Sequence, residues 1–228
     1  MTQFNSNRSQ RMATQLDIFD FDGTLFRNPH DSPENRLKYE KATGLPWAIN
    51  KEQSLELTKK HGKFIGVRRG WYGRKETLEP PLVPDPAPKS FFIPEPCEAL
   101  LKSKVDPDTI TVLMTGRHAG IKNQVLRIAG DGGLVKLHKK PSKKNGIFYE
   151  VIDPEITCWF LGENGPNPKG NKPNETLPWK MWIIEQYLEL NPNMTKVVIW
   201  EDREEHVREF EALNDLLEPE IVVQFVKN

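Results

Sequence analysis

The sequence predicts an α/β fold of three layers, in which a central parallel sheet lies between two layers of helices and carries an insert after its first strand. Short apolar runs and helical patterns alternate along most of the 228 residues. A strand, a helix and a second parallel strand form a right-handed unit, and repeated units build a sheet of this kind. The order of the runs therefore indicates the fold class.

Five apolar runs are predicted to form strands. They span residues 16–21, 109–115, 134–137, 196–200 and 221–226. Runs such as KVVIW and IVVQFV are apolar on both faces, which is typical of strands buried inside a parallel sheet. The helical spacing of apolar residues predicts helices at 120–129, 179–190 and 203–217.

Two regions depart from this alternation. Residues 28–104 are too many for a crossover helix and predict a cap-like insert on a core of residues 15–27 and 105–228, preceded by a polar tail at 1–14. The proline-dense run at 80–96 is predicted to be neither helix nor central strand, because Pro lacks the N–H donor. The second region, 139–178, contains a predicted hairpin of IFYEVI and ITCWFL before a loop rich in Gly, Pro and Asn.

The composition limits the classes of function. The 32 basic residues balance the 32 acidic ones, so no overall field draws the chain to nucleic acid or to a membrane. Cys97 and Cys158 form no CxxC motif, which favours a reduced intracellular protein. There is no apolar run of membrane-spanning length and no signal-peptide core. We therefore expect a soluble, cytoplasmic protein with no membrane partner, and no obligate protein partner is evident.

The motif DFDGTL, which directly follows the first apolar run, indicates the chemistry. Asp20 and Asp22 would lie at the carboxyl end of a strand, where open α/β sheets bind their ligands. Two neighbouring carboxylates repel each other unless a cation lies between them, and Mg²⁺ suits carboxylates that also face a phosphate. Asp20 is predicted to be a nucleophile and Asp22 a general acid/base. The alternative, an acidic turn that caps a helix, would explain a bare DxD better than this longer motif.

DFDGTL resembles the first motif of the haloacid dehalogenase (HAD) superfamily of phosphotransferases, which has a Rossmann-like core. Three further motifs follow in the expected order. Thr115 resembles the residue that hydrogen-bonds the transferring phosphoryl group, and Lys180 resembles the lysine that offsets charge on the nucleophile and phosphate. Glu201 and Asp202 resemble the acidic pair that completes the metal site, with Asp202 a direct ligand and Glu201 direct or through water. The resemblance implies Mg²⁺ held by Asp20, Asp22, Asp202 and Glu201, and an aspartyl-phosphate intermediate.

A narrower resemblance points towards nucleic-acid repair. FDFDGTLF, a Trp-rich insert, VLMTGR, TLPWK and IWEDREEH are similar to the HAD domain of Swiss Army Knife RNA repair proteins. This resemblance implies removal of end phosphates from RNA or DNA. A phosphatase of small phosphomonoesters, such as a nucleotidase, is the alternative. A non-catalytic scaffold that binds partners through the proline-rich run is the third hypothesis, although all four motifs are present.

Several further residues outside the four motifs are predicted to support the site, to contact the substrate or to pack the insert. Gly116 and Arg117 follow Thr115 closely enough to contact the substrate, but Arg117 could equally form a salt bridge with an acidic neighbour. Arg203 and His206 are predicted to support the carboxylates. Basic clusters at 59–75 and 136–144 suit contact with a phosphate backbone or, equally, a solvated surface. Trp47, Trp71 and Tyr72 are predicted to pack the insert against the core.

Overall fold

The computed structural model describes residues 13–48, 50–142, 146–163 and 175–227. The strands are β1 Gln15–Phe19, β2 Thr109–His118, β3 Leu137–Ser142, β4 Gly146–Val151, β5 Thr157–Leu161, β6 Lys196–Glu201 and β7 Glu220–Phe225. The α-helices are α1 Pro33–Thr43, α2 Lys51–His61, α3 Pro94–Val105, α4 Lys122–Asp131, α5 Thr176–Leu190 and α6 Glu204–Glu211. Short 3₁₀ turns include Arg68–Gly73, Lys75–Leu78 and Ala212–Asp215.

Five parallel strands form the central sheet, in the order β5-β2-β1-β6-β7. The chain leaves β1 for β2 on one side and later returns to β6 on the other side, so β1 is the point where the strand order reverses. The carboxyl ends of β1, β2 and β6 therefore meet at one edge, which is where open α/β sheets bind ligands. The predicted α/β fold class is confirmed.

Alternating side chains of the strands pack against two layers of helices. Leu16 and Ile18 of β1 contact the layer that contains α5 and α6, while Phe19 contacts the layer that contains α3 and α4. Side chains of a strand point alternately to opposite faces, so a sheet that is apolar on both faces needs a helical layer on each. The result is the predicted three-layer sandwich.

The region after α4 differs from the prediction. The predicted strand at 134–137 is wrong except for its last residue: β3 begins at Leu137 and pairs antiparallel with β4, outside the central sheet, whereas β5 joins that sheet beside β2. The predicted hairpin of IFYEVI and ITCWFL is therefore wrong. The connection between β4 and β5 is fixed instead by the buried Asp153, which accepts hydrogen bonds from Lys104 Nζ at 2.6 Å and from the Lys136 N–H at 3.2 Å.

The segment between β1 and β2 has its own small apolar cluster and then a core helix. Tyr39, Trp47, Trp71 and Leu82 are buried together, so Trp47 and Trp71 pack within this segment. Its last helix, α3, packs on β1 and β2. The start of α3 corrects the prediction for the proline-dense run: Pro94 lies in the first helical turn, where a missing N–H costs no helical hydrogen bond.

The basic clusters are only partly within the described residues. Lys59, Lys60, Lys63 and Lys75 are exposed, and Arg74 lies over the rings of Trp47 and Phe64. The side chains of residues 68 and 69 and all of residues 143 and 144 lie outside the described part of the chain, as do residues 1–12 of the predicted tail and residues 164–174 of the loop. Among the described residues, no helix combines the length and apolarity needed to cross a bilayer.

Candidate active site

Asp20 follows directly after β1, in the middle of the sheet edge. Its backbone N–H donates to the carbonyl oxygen of Trp200 in β6 at 3.1 Å, and its side chain is buried. This hydrogen bond continues the parallel pairing one residue beyond the strand and fixes where the carboxylate leaves the sheet. Burial raises the pKa of Asp20 to about 6, with Lys180 opposing the rise and Glu201 adding to it.

Lys180 joins Asp20 to Glu201. It lies in α5, is 1% exposed, and its Nζ donates to Asp20 Oδ1 and to Glu201 Oε2, each at 2.8 Å. Burial lowers the pKa of Lys180, but the two carboxylates outweigh burial and the pKa lies above its ordinary value. A buried ammonium that is fully charged is tolerated here because both of its partners are acidic.

Glu201, the last residue of β6, holds the turn that follows it. Its Oε1 accepts hydrogen bonds from the backbone N–H groups of Asp202 and Arg203 at 3.2 Å, and its Oε2 lies 3.2 Å from His206 Nδ1. Burial alone would raise the pKa of Glu201, but Lys180, His206 and Arg203 hold it below its ordinary value. Glu201 is thus an ionised residue that positions Asp202. The contacts of Arg203 and His206 agree with their predicted support of the carboxylates.

The residues of one cluster fit a divalent cation. Oxygens of Asp20, Glu201 and Asp202 all lie within 4.8 Å of one another. Burial and the charges of Asp20 and Glu201 raise the pKa of Asp202 to about 8. Mg²⁺ prefers hard oxygen ligands such as carboxylates. A cation between these side chains would also relieve the repulsion of their negative charges. The carboxylate of Asp22, also predicted as a metal ligand, lies outside this cluster.

The end of β2 carries the TGR motif on an irregular strand. Its register with β5 shifts between Thr115 and His118, as in a β-bulge. The hydroxyl of Thr115 is fully buried and accepts a hydrogen bond from the Arg117 N–H at 3.1 Å. At Gly116, a Cβ atom would lie 2.6 Å from Thr176 Cγ2, so the start of α5 approaches too closely for a larger residue. Contact of Thr115 or Gly116 with substrate stays a prediction.

Arg117 forms a salt bridge with Asp22, which is one of the two interactions predicted for it. Its Nε lies 3.0 and 2.9 Å from the two carboxylate oxygens of Asp22, and its Nη2 lies 2.7 Å from Oδ1. Its Nη1 donates to the Tyr72 carbonyl oxygen at 2.8 Å and to Thr77 Oγ1 at 3.0 Å. Arg117 is 2% exposed, so these contacts enclose the guanidinium almost completely.

A cavity of about 410 Å³ opens above these groups. The described residues that line it come from the motifs and from the segment between β1 and β2; they are Asp20, Asp22, Asn28, Tyr72, Gly73, Gly116, Arg117, Thr176, Asp202 and Arg203. Tyr72 is 48% exposed. Its ring also lies against Arg117 of β2, with 5.5 Å from the ring centroid to Arg117 Cζ, so Tyr72 contacts the core and faces the cavity as well. Thr176 is the first residue of the TLPWK motif, whereas Asn28 and Gly73 belong to none of the motifs recognised in the sequence.

Comparison with known proteins agrees with the motifs. Residues 67–222, more than half of the chain, match the family described as HAD domain family 1 in Swiss Army Knife RNA repair proteins. The match includes Thr115, Lys180 and Asp202 but begins after Asp20 and Asp22. A comparison with curated proteins gives no match.

Two solved structures are similar at a low level. Both are of the HAD domain of effector protein Lem4 from Legionella pneumophila, one of them an inactive mutant. Each is 12% identical, with TM-scores of 0.37 for the mutant and 0.36 for the other. The alignments cover 95% and 94% of this chain and 87% and 86% of those chains. The family assignment therefore rests on the match of residues 67–222 alone, and that match confirms the resemblance seen in the motifs. The chain belongs to the family described as HAD domain family 1 in Swiss Army Knife RNA repair proteins.

Proposed function

We propose that this protein is a Mg²⁺-dependent phosphohydrolase that cleaves phosphate monoesters through a phosphorylated Asp20. The main support for this proposal is the position of Asp20. It lies at the centre of the sheet edge, lines the cavity, and has one oxygen held by Lys180. A pKa of about 6 leaves this carboxylate mostly ionised at neutral pH, as a nucleophile requires.

In the first step, an oxygen of Asp20 attacks phosphorus and the bond from phosphorus to the leaving oxygen breaks. Lys180 fixes Oδ1, so the other oxygen of Asp20 is the attacking atom. Asp22 in its protonated form gives the proton to the leaving oxygen and becomes the carboxylate that pairs with Arg117. When bound by Asp20, Glu201 and Asp202, Mg²⁺ would offset the negative charge of the phosphoryl group.

In the second step, water attacks phosphorus and the bond from Asp20 to phosphorus breaks. Asp22 takes the proton of this water and so returns to its starting form. Asp20 is released as a carboxylate that Lys180 again stabilises. Phosphate leaves through the cavity, and the sum of the two steps is hydrolysis of one monoester.

For the substrate, we propose the phosphorylated ends of a nucleic acid. Tyr72 offers a half-exposed aromatic ring at the cavity, and base stacking on such rings is common in proteins that bind single strands. The exposed Lys59, Lys60 and Lys63 add positive charge to the same segment of chain. A small phosphomonoester is the rival, because the net charge is zero and a cavity of about 410 Å³ suits a small ligand.

The test compares a 3′-phosphorylated oligonucleotide, a nucleoside monophosphate and an aryl phosphate, each with Mg²⁺ and with EDTA. We expect all measurable hydrolysis to require Mg²⁺. Only the oligonucleotide should show a steep rise of KM with salt, because only it releases many counterions on binding. Since stacking contributes about 1–3 kcal/mol per base, Tyr72→Leu should raise the oligonucleotide KM about 5- to 150-fold.

Tyr72→Phe is the matched control and should leave this KM within about 3-fold, because it keeps the ring. Equal salt dependence for the oligonucleotide and the monophosphate would favour the small-molecule rival. Equal hydrolysis with Mg²⁺ and with EDTA would contradict the proposed metal dependence.

A further inference from the structure

Arg117 connects Asp22, the proposed general acid/base, to the segment between β1 and β2, which also lines the cavity. Its Nε and Nη2 contact both oxygens of Asp22, and pairing at two points fixes a carboxylate more firmly than a single contact. Its Nη1 is held by two acceptors of the segment between β1 and β2, the carbonyl oxygen of Tyr72 and the hydroxyl of Thr77. The guanidinium is therefore fixed on both sides.

The two acceptors of this segment are themselves fixed. Thr77 is fully buried, and its hydroxyl donates to the carbonyl oxygen of Arg74 at 2.7 Å while it accepts from Arg117. The ring of Tyr72 lies under the guanidinium, 5.5 Å from the ring centroid to Arg117 Cζ. A guanidinium that has two hydrogen bonds on Nη1 cannot rotate without losing them, so the position of residues 72–77 determines where Nε and Nη2 point.

We propose that Arg117 is a positioning residue through which residues 72–77 set the position of the Asp22 carboxylate. The inference rests on the proposed function, in which Asp22 transfers the proton. Its main consequence concerns Thr77, which does not line the cavity and yet controls proton transfer there. Catalytic groups must be held within a fraction of an ångström of their working geometry, so the loss of one fixing hydrogen bond has a kinetic effect.

The kinetic test uses Thr77→Val, which removes the hydroxyl but keeps the shape of the side chain. We expect kcat for an alkyl phosphate, whose poor leaving group needs a proton, to fall about 10-fold with KM unchanged. For dinitrophenyl phosphate, whose leaving group departs without a proton, kcat should stay within about 2-fold. Arg117→Met should show the same selectivity with a larger loss for the alkyl ester.

Thr111→Val is the matched control. Thr111 is a buried threonine of β2 whose hydroxyl lies 2.7 Å from Ser103 Oγ, and it does not line the cavity. This variant makes the same chemical change and should lower the melting temperature without selective loss of alkyl phosphate turnover. If Thr77→Val affects the two esters equally, or behaves like Thr111→Val, the inference is wrong.

A second measurement does not depend on activity. In a ¹⁵N–¹H spectrum, the Arg117 Nε–H should be protected from exchange with water by its bond to Asp22, and Asp22→Asn should change its shift. We expect Thr77→Val to weaken this protection at least about 10-fold, since one bond of Nη1 is gone. Unchanged protection would overturn the inference. If the wild-type protein hydrolyses no phosphate ester, the proposed function fails, and the Nε–H signal still decides whether Thr77 controls the ion pair.

Discussion

Replacing Asp20 by Asn is expected to lower the Mg²⁺-dependent kcat for an aryl phosphate by about 10⁴-fold or more. The amide oxygen is a poor nucleophile, it binds cations weakly, and it cannot form a phosphorylated carboxylate. The loss should appear with good and poor leaving groups alike, because both kinds of ester require Asp20 to attack phosphorus. Steady-state rates with dinitrophenyl phosphate and with an alkyl phosphate measure this directly.

Asp17→Asn is the matched control for Asp20→Asn. Asp17 is a buried aspartate of β1, three residues before Asp20, but it accepts a hydrogen bond from Gln15 Nε2 at 2.7 Å and does not line the cavity. It should keep most of the wild-type kcat. An Asp20→Asn protein that folds, binds Mg²⁺ and retains more than about a tenth of wild-type turnover would contradict a nucleophilic Asp20.

Replacing Lys180 by Met is expected to remove activity and to lower the free energy of unfolding by about 3–5 kcal/mol in the absence of metal. The ammonium lies between two buried carboxylates, and its removal leaves Asp20 and Glu201 close together without the cation that bridges them. Urea unfolding in EDTA measures the loss. Added Mg²⁺ should restore part of the stability of this variant, because a bound cation replaces some of the missing positive charge.

Lys104→Met separates this effect from the general cost of breaking a buried ion pair. Lys104 is also buried, and it pairs with Asp153 at 2.6 Å. Its replacement should destabilise the protein by a similar amount, about 3–5 kcal/mol, with no recovery from Mg²⁺ beyond that of the wild type. The folded fraction of Lys104→Met should retain its activity. Full activity in Lys180→Met, or equal recovery of both variants by Mg²⁺, would contradict the role proposed for Lys180.

The residues at the ends of the central strands could be predicted from the sequence. Asp20, Glu201 and Asp202 follow apolar runs, and parallel strands bring their carboxyl ends to one edge whatever the loops between them do. The structure places these three together, with Lys180 of α5 between Asp20 and Glu201. Their chemical roles are the proposal, but their proximity follows from strand order alone.

The contacts of Arg117 and Tyr72 could not be predicted in the same way. The direction of Arg117 depends on the irregular end of β2, and its partners Tyr72 and Thr77 lie 45 and 40 residues away in the chain. No periodic pattern reports such a contact, because it depends on how an irregular segment packs on the sheet. The sequence therefore left open whether Arg117 contacts substrate or an acidic neighbour.

The wrong hairpin has a similar cause. IFYEVI and ITCWFL have strand patterns separated by a short connection, which favours a local hairpin. The buried pair of Lys104 and Asp153 instead fixes that connection to α3, and β5 pairs with β2 across the sheet. A contact between residues that are distant in sequence outweighed the local preference, as is common for strands.

The central claim, that Asp20 becomes phosphorylated, is tested most directly by trapping the intermediate. Asp22→Asn should still accept the phosphoryl group from dinitrophenyl phosphate, since that leaving group needs no proton, but it lacks the base for the second step. After mixing with Mg²⁺ and an acid quench, we expect a burst of dinitrophenolate equal to the protein concentration. Mass spectrometry should then find one phosphoryl group on Asp20. Steady hydrolysis without a burst, with Asp20 unmodified, would contradict the proposed mechanism.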